Sequence, residues 1–424
     1  MGGATCESKP ETIEPQHVSL ATDPVHGTDS DSNAFVEMMK HSKTLCQASV
    51  QRFHLSSDYK LSWSNVNIGF SDAETVAWSS TVQLKNLDGT RTQLTLSTSV
   101  PELQTPVRLV KQHSRLPVPV LKSILQKSVR RRRPLPAVRV TMELMDKALG
   151  PLLRRIPIIL LEDSMLHPEF PLLCWLMAAE SKQYKIPLKL LSRVLQVVYE
   201  TCTCPWTDDL DASVGNVGVV ASENPECALI LKSMAMRVSY GGMACDMDMM
   251  RQCRSTWSNR FHMDAIPPEV RRRLGESAPT RWIDLVDFIH SKMRCQGKRH
   301  IEAIVNDRLS LLKLQDVCVE GVDFHCSDVL DQLATDTLFV TTSMDRLMHY
   351  GVLKTSAKDQ LMVILKQCMW KYSSGINFRQ PLVGDGATME EDPIVKSFWQ
   401  DLVATRVKEC MTRYVTGRLA TTFT

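Results

Sequence analysis

The chain lacks any apolar run close to the roughly 20 residues that a membrane-spanning helix needs. Its longest runs, residues 156–161 and 170–179, are much shorter, which argues against a helical membrane protein. The first residues also lack the pattern of a secretory signal. We therefore expect the 13 cysteines to lie in a reducing compartment, the nucleus or the cytoplasm.

Two common cofactor signatures are missing as well. No Gly-x-x-x-x-Gly-Lys-[Ser/Thr] phosphate loop occurs anywhere in the sequence, so P-loop ATPase activity is not expected. No two cysteines have the two-residue separation with which paired thiolates bind one zinc ion from a tight turn. The sequence therefore predicts buried free cysteines and no cofactor.

Acidic residues are absent over the forty positions between Glu102 and Glu143. The net charge is only +3, so any attraction to polyanions has to come from such local asymmetry. Within the segment, apolar residues recur at helical spacing between residues 117 and 134, which predicts a helix with one docked face and a solvent-exposed cationic face. The predicted contacts to nucleic-acid phosphates are Arg108, Lys111, Arg115, Lys122, Lys127, Arg130, Arg131, Arg132 and Arg133.

Three interpretations of this segment remain open. Exposed cations without neutralising partners suit a phosphate backbone, where each contact releases a counterion. A run of four arginines also fits a nuclear-localisation signal, and an ordinary solvated surface would have the same composition.

The N-terminal part differs from the rest. Residues 1–35 have few large apolar groups, so we expect a flexible tail. Alternation on both sides of Asp88-Gly89 predicts a hairpin, within an antiparallel sheet of three strands that buries Trp63 and Trp78. An aromatic platform that stacks bases is the functional alternative for these two tryptophans.

The remaining sequence has successive apolar stretches at helical spacing with short connections. The fold class we expect is mainly α, an irregular multi-helix array with a small N-terminal antiparallel β-sheet, α+β as a whole. The expected units are the tail, a hairpin-containing unit over residues 36–105, a basic helical domain over residues 106–260 and a second helical subdomain over residues 261–424.

The central stretch, residues 154–168, concentrates charge around an apolar run. Arg154 and Arg155 precede the run, and Glu162, Asp163 and His167 follow it. Glu162 or Asp163 can form structural ion pairs with Arg154 or Arg155. Asp163 can alternatively cap a helix.

This stretch, together with the preceding Lys122-Ser123 or Lys127-Ser128 and the arginines, resembles the helical C-terminal region of the clamp-loader-like replication-associated recombination ATPases. The resemblance covers about sixty positions, residues 121–177. It implies an all-helical module of the replication or repair machinery that supports oligomerisation. Without a phosphate loop, the family's ATPase activity is not implied, and His167 departs from the family's pattern.

A metal site is the competing hypothesis for the same residues. On a continuous helix Asp163 and His167 share a face, and Asp323 with His325 offers similar ligands. If the two clusters meet, Glu162, Asp163, His167, Asp323 and His325 make a metal-dependent hydrolase of nuclease or phosphohydrolase type.

Three functions therefore follow from the sequence. The first is a non-catalytic nucleic-acid-associated protein of replication, recombination or repair, which binds DNA or RNA and protein partners of that machinery. The second is the metal-dependent hydrolase, and the third is a protein-interaction scaffold.

Overall fold

The computed structural model describes residues 51–65, 75–85, 91–105, 108–110, 112–208, 224–306, 312, 314, 316–317, 326–355, 357–383 and 392–419. The predicted tail, Lys111, Asp323 and His325 lie outside these residues. The domain boundaries expected near residues 105 and 260 stay a prediction.

The first described elements form one mixed sheet of four strands in the order β2-β1-β4-β3. The strands are β1 (Gln51–Leu55), β2 (Leu61–Asn65), β3 (Trp78–Lys85) and β4 (Arg91–Thr98). The predicted hairpin is confirmed, because β3 pairs antiparallel with β4 from Trp78↔Thr98 to Lys85↔Arg91. The prediction of three antiparallel strands is wrong: β1 is a fourth strand, and it pairs in parallel with β4.

The sheet needs a second layer, because so small a sheet is not stable alone. Leu94 and Leu96 of β4 are buried, and the Trp175 indole N–H donates to the Phe53 carbonyl of β1 over 3.1 Å. Trp63 and Trp78 are partly buried against Phe53 and Trp175 respectively. The sheet is thereby attached to the helical body.

The helical body begins with four helices: α1 (Val118–Arg130), α2 (Pro134–Asp163), α3 (Phe170–Glu180) and α4 (Leu188–Thr203). α2 is kinked at Ala148, whose φ of −161° and ψ of 65° are non-helical. Pro151 explains the kink, because its ring displaces the carbonyl one turn earlier and it has no N–H to donate. The apolar run after Arg155 is helical, and α3 is buried on all sides.

The chain continues through α5 (Pro225–Ser239), α6 (Ala244–Met263), α7 (Pro268–Leu274) and α8 (Trp282–Asn306). Proline stands in the first turn of α5 and α7, where its missing N–H costs nothing. α6 packs against α5, and α8 packs against α4.

The C-terminal helices are α9 (Cys326–Thr335), α10 (Thr337–His349), α11 (Lys358–Met369), α12 (Pro393–Phe398) and α13 (Ala404–Leu419). A π-helical turn, Trp370–Ser374, extends α11, and another, Trp399–Val403, joins α12 to α13. Two short strands, β5 (Trp206–Thr207) and β6 (Gln380–Pro381), pair in parallel. The mainly helical α+β fold class is confirmed.

Two further expectations concern membrane-spanning helices and the state of the cysteines. Among the helices of the described residues, none is long and apolar enough to cross a membrane. In the same part of the chain the cysteines are free, and those at 174, 202, 204, 227, 253, 368 and 410 are buried, as predicted. The prediction is wrong for Cys245 and Cys295, which are exposed.

Candidate functional site

Arg130, the first residue of the arginine run, is buried. Its Nε binds the Asp163 carboxylate, and its Nη2 lies 3.0 Å from Glu162 Oε1. Its Nη1 donates to the Ser374 carbonyl over 2.6 Å. The guanidinium is therefore neutralised within the fold by the two carboxylates that end α2.

Arg131 and Lys127 are buried too. Arg131 donates to the Ser373 carbonyl, and the Lys127 ammonium donates to Ser123 Oγ over 2.8 Å. The prediction that the arginine run and Lys127 face solvent is therefore wrong for Lys127, Arg130 and Arg131. Arg133 is half-buried.

The arginines are buried because they end one helix and meet the end of another. Arg132 has a left-handed φ of 56°, and Arg133 N–H bonds back to the Ser128 carbonyl, which closes α1 as a Schellman motif does. The carbonyls that receive Arg130 and Arg131 end the π-helical turn after α11, where the helix dipole favours cations. The consecutive arginines therefore hold the end of α1 against the end of α2 and the π-helical turn after α11.

Besides Arg133, four predicted cations are not buried. Arg108, Arg115 and Arg132 are exposed, and Lys122 is half-buried. Arg108 contacts His113, and Arg132 donates to the Thr203 carbonyl over 3.1 Å. Within the described chain, the side chains of Lys122 and Arg115 have no hydrogen-bonding or ionic partner.

Lys122 lines a groove of about 480 Å³ between α1, α2 and the turn that joins α5 to α6. Below, this is called the basic groove. It also contains Arg154, Arg155 and Arg237, and the carboxylate in its lining is Asp246. Its lining residues are Pro119, Lys122, Ser123, Gln126, Pro151, Arg154, Arg155, Ile158, Arg237, Tyr240, Gly241, Gly242, Met243 and Asp246.

Some cations of the basic groove already have hydrogen-bonding or ionic partners within the protein, and others do not. Arg155 binds Asp246 over 3.0 Å and Gln126, and Arg237 donates to the carbonyls of Arg154 and Gly241. Burial lowers the pKa of Arg237. Arg154 is exposed, and among the described residues its side chain has no partner.

One of the predicted structural ion pairs, Glu162 with Arg155, is confirmed at a longer distance, and the others are corrected in their partners. Glu162 pairs mainly with Arg130, and its distance to Arg155 is 3.8 Å. Asp163 pairs with Arg130, and Arg154 pairs with neither carboxylate. Burial, followed by the neighbouring Asp163, raises the pKa of Glu162 against the opposing effect of Arg130.

His167 lies in a different place, with Glu200 of α4 and His290 of α8. All three side chains are buried, and their ligand atoms lie within 4.8 Å of one another. His167 Nε2 lies 3.1 Å from Glu200 Oε2, and His290 Nε2 lies 3.1 Å from the Leu166 carbonyl. This is the grouping with metal-ligand composition in the described chain, and it includes neither Glu162 nor Asp163.

The hydrogen bonds show whether this grouping fits a metal. His290 has a ligand's arrangement, because its Nε2–H donates to a carbonyl and its Nδ1 is a buried acceptor without a partner in the described chain. His167 does not: its Nδ1 accepts the Glu169 backbone N–H over 3.0 Å, so the proton sits on Nε2 and points at Glu200. One carboxylate and one imidazole are too few for a tetrahedral site. The arrangement fits a polar network that joins three elements.

Burial in this network favours neutral imidazoles. Burial lowers the pKa of His167 to about 3, with Arg294 and Arg193 acting in the same direction and Asp287 opposing them. Burial also lowers the pKa of His290 well below its ordinary value, although Glu200 opposes this. Burial raises the pKa of Glu200, against the Gln196 hydrogen bond and Arg294.

We expect the network to make the protein less stable in mild acid. The two histidines have folded-state pKa values below their unfolded value of about 6.5, so the unfolded chain gains protons first as the pH falls. Between about pH 7.5 and 5.5 this costs about 1.4 kcal/mol per histidine, or about 3 kcal/mol together. The raised pKa of Glu200 offsets part of the loss, because the folded form then binds the proton first.

Urea unfolding at the two pH values measures the loss. The exposed His262→Gln variant should behave as the wild type does. Two histidine ring signals that titrate only below the ordinary histidine range are also expected by NMR. Ordinary titration of all histidines near pH 6.5 would contradict the assignment.

Sequence reasoning assigned no role to Glu200, His290 or Arg379. Arg379 is buried, and it donates to the Val129 and Thr201 carbonyls over 2.7 Å each, which joins the ends of α1 and α4. Each of these residues lies in an apolar helix or a short connection, where one isolated polar residue forms no recurring pattern in the sequence. Only a contact between segments far apart in the chain reveals them.

The basic groove therefore collects one predicted phosphate contact, Lys122, with two arginines that the sequence had assigned to ion pairs. The resemblance of residues 121–177 to the helical region of the recombination ATPases stays a prediction. Comparison of the chain with protein-family models, with curated proteins and with solved structures finds no match.

Proposed function

We propose that this chain is a non-catalytic nucleic-acid-binding protein of replication, recombination or repair, located in the nucleus or cytoplasm. The observation that carries the proposal is the basic groove. It contains four cations and a carboxylate that Arg155 already binds, so Lys122 and Arg154 are left to attract an anion.

The groove suits a phosphate backbone for electrostatic reasons. Releasing condensed counterions from a polyanion favours any site where cations stand without competing carboxylates. The chain's net charge of +3 supplies little general attraction, so this local site has to provide the affinity. Arg115 and Arg132, both exposed, are further candidate contacts.

The hydrolase alternative has weaker support. Glu162 and Asp163 neutralise Arg130, and the protonated Nε2 of His167 faces Glu200. The scaffold alternative predicts no affinity for oligonucleotides, so the same binding experiment distinguishes it.

The double variant Lys122→Ala/Arg154→Ala is expected to weaken binding about tenfold at low salt. The plot of log affinity against log salt has a negative slope, and each lost contact to a single strand should make it shallower by about 0.7. Loss of both contacts should therefore make it shallower by about 1.4. Fluorescence anisotropy of labelled single-stranded and duplex oligonucleotides, between about 50 and 200 mM salt, measures both quantities.

The matched control is Arg271→Ala/Arg272→Ala, which removes the same charge from exposed positions of α7 outside the groove. Its affinity should stay within about twofold of the wild type. Absence of binding by the wild-type chain at low salt, or equal loss in both double variants, would reject the proposal.

A further inference from the structure

Two aromatic side chains, Trp370 and Phe378, stand on the surface near the end of α1. They are 58% and 56% exposed, although rings of this size are usually buried. Trp370 begins the π-helical turn after α11, and Phe378 follows it. Phe378 N–H donates to the Arg130 carbonyl over 3.1 Å, which fixes the second ring beside the arginine run.

Both rings are supported from behind by buried guanidinium groups. The Arg130 Cζ lies 5.3 Å from the Trp370 ring centroid, and the Arg131 Cζ lies 5.9 Å from that of Phe378. Gly375 packs so closely on Trp370 that an added Cβ would lie 3.1 Å from the indole and 2.6 Å from the Trp370 carbonyl. Rings held in this way lose little entropy when a ligand covers their free faces.

Hydrogen bonds and an ion pair connect Gln126 of the basic groove, through Glu162, to the Arg130 guanidinium beside Trp370. One face of α1 carries Lys122, Gln126 and Arg130 at four-residue steps. The Cα atoms of Lys122 and Arg130 are therefore about 12 Å apart along the helix axis. Gln126 donates to Glu162 over 2.8 Å, and Glu162 accepts from Arg130 beneath Trp370. The groove and the rings are therefore neighbours on one surface.

We infer that this surface binds single-stranded nucleic acid, with phosphates in the basic groove and bases stacked on Trp370 and Phe378. The inference rests on the proposed function and specifies its ligand. Unpaired bases present their faces to aromatic rings, whereas a duplex keeps them stacked internally. Arg132, which follows the two arginines that contact the rings, is exposed, and Glu162 already pairs with Arg130, so the surface favours an anionic ligand.

The experiment compares Trp370→Ala, Phe378→Ala and the double variant with the wild type. Anisotropy measures their affinity for oligothymidine and for a duplex of equal length. Each single change should weaken binding to the single strand about tenfold, the double change about a hundredfold, and duplex affinity should change less than about twofold. Trp370→Phe should keep most of the affinity, because it keeps a stacking ring.

Leu338→Ala is the matched control, because Leu338 is 73% exposed and belongs to a different helix, α10. Circular dichroism verifies that each variant is folded. Unchanged single-strand affinity in the double variant would overturn the inference and assign the rings to a protein partner instead. If Lys122→Ala/Arg154→Ala still weakens binding in that case, the proposed function stands; a wild type that binds neither oligonucleotide rejects both.

Discussion

Arg130→Ala is expected to lower the free energy of unfolding by about 3–5 kcal/mol. Asp163 is 2% exposed, and its second carboxylate oxygen has no partner among the described residues, so loss of Arg130 leaves a buried charge without compensation. The Ser374 carbonyl and the indole of Trp370 lose the same guanidinium. Urea unfolding monitored by circular dichroism measures the change.

Arg132→Ala is the matched control, since it removes an exposed neighbour in the same run. Its effect should stay within about 0.5 kcal/mol. Similar small effects for both variants would show that the two arginines are equivalent and that the buried pair does not form.

Trp175→Ala is expected to lower the free energy of unfolding by about 3–5 kcal/mol. The side chain is fully buried, its N–H bonds to β1, and its ring contacts Trp78 at 6.2 Å and Tyr184 at 5.5 Å between centroids. Its removal therefore leaves a cavity where the sheet meets α3. Thermal and urea unfolding measure the loss.

The control for this change is Trp370→Ala, which removes the same side chain from an exposed position. It should cost less than about 1 kcal/mol. A stable Trp370→Ala protein is also what the binding experiment requires. Equal destabilisation by the two changes would contradict the burial that distinguishes these tryptophans.

Local patterns predicted the helical class of the fold and the position of α1. The apolar periodicity between Pro117 and Pro134 predicted α1, which the structure confirms as Val118–Arg130. These signals are local, because backbone hydrogen bonds and proline geometry involve residues a few positions apart. The parallel pairing of β1 with β4 had no such signal, since it joins Gln51 to Leu94 across a long connection.

The charged residues show the same limit more sharply. Both Arg130 and Lys122 belong to one acid-free segment, yet the first is buried against Asp163 and the second lies free in a groove. The partners of Arg130 lie 32 and 33 positions away, and its carbonyl ligand lies 244 positions away. Charge spacing along the chain carries no information about such partners.

By itself, the sequence determined the class of the fold, the bounds of α1 and the presence of a cationic segment, because each depends on short-range spacing. Only the tertiary structure decided which cations remain available. Burying a guanidinium requires carboxylates and carbonyls from distant segments, and their convergence is a property of packing. The same packing brought Trp370 and Phe378, from the far end of the chain, onto the arginines and left their outer faces open.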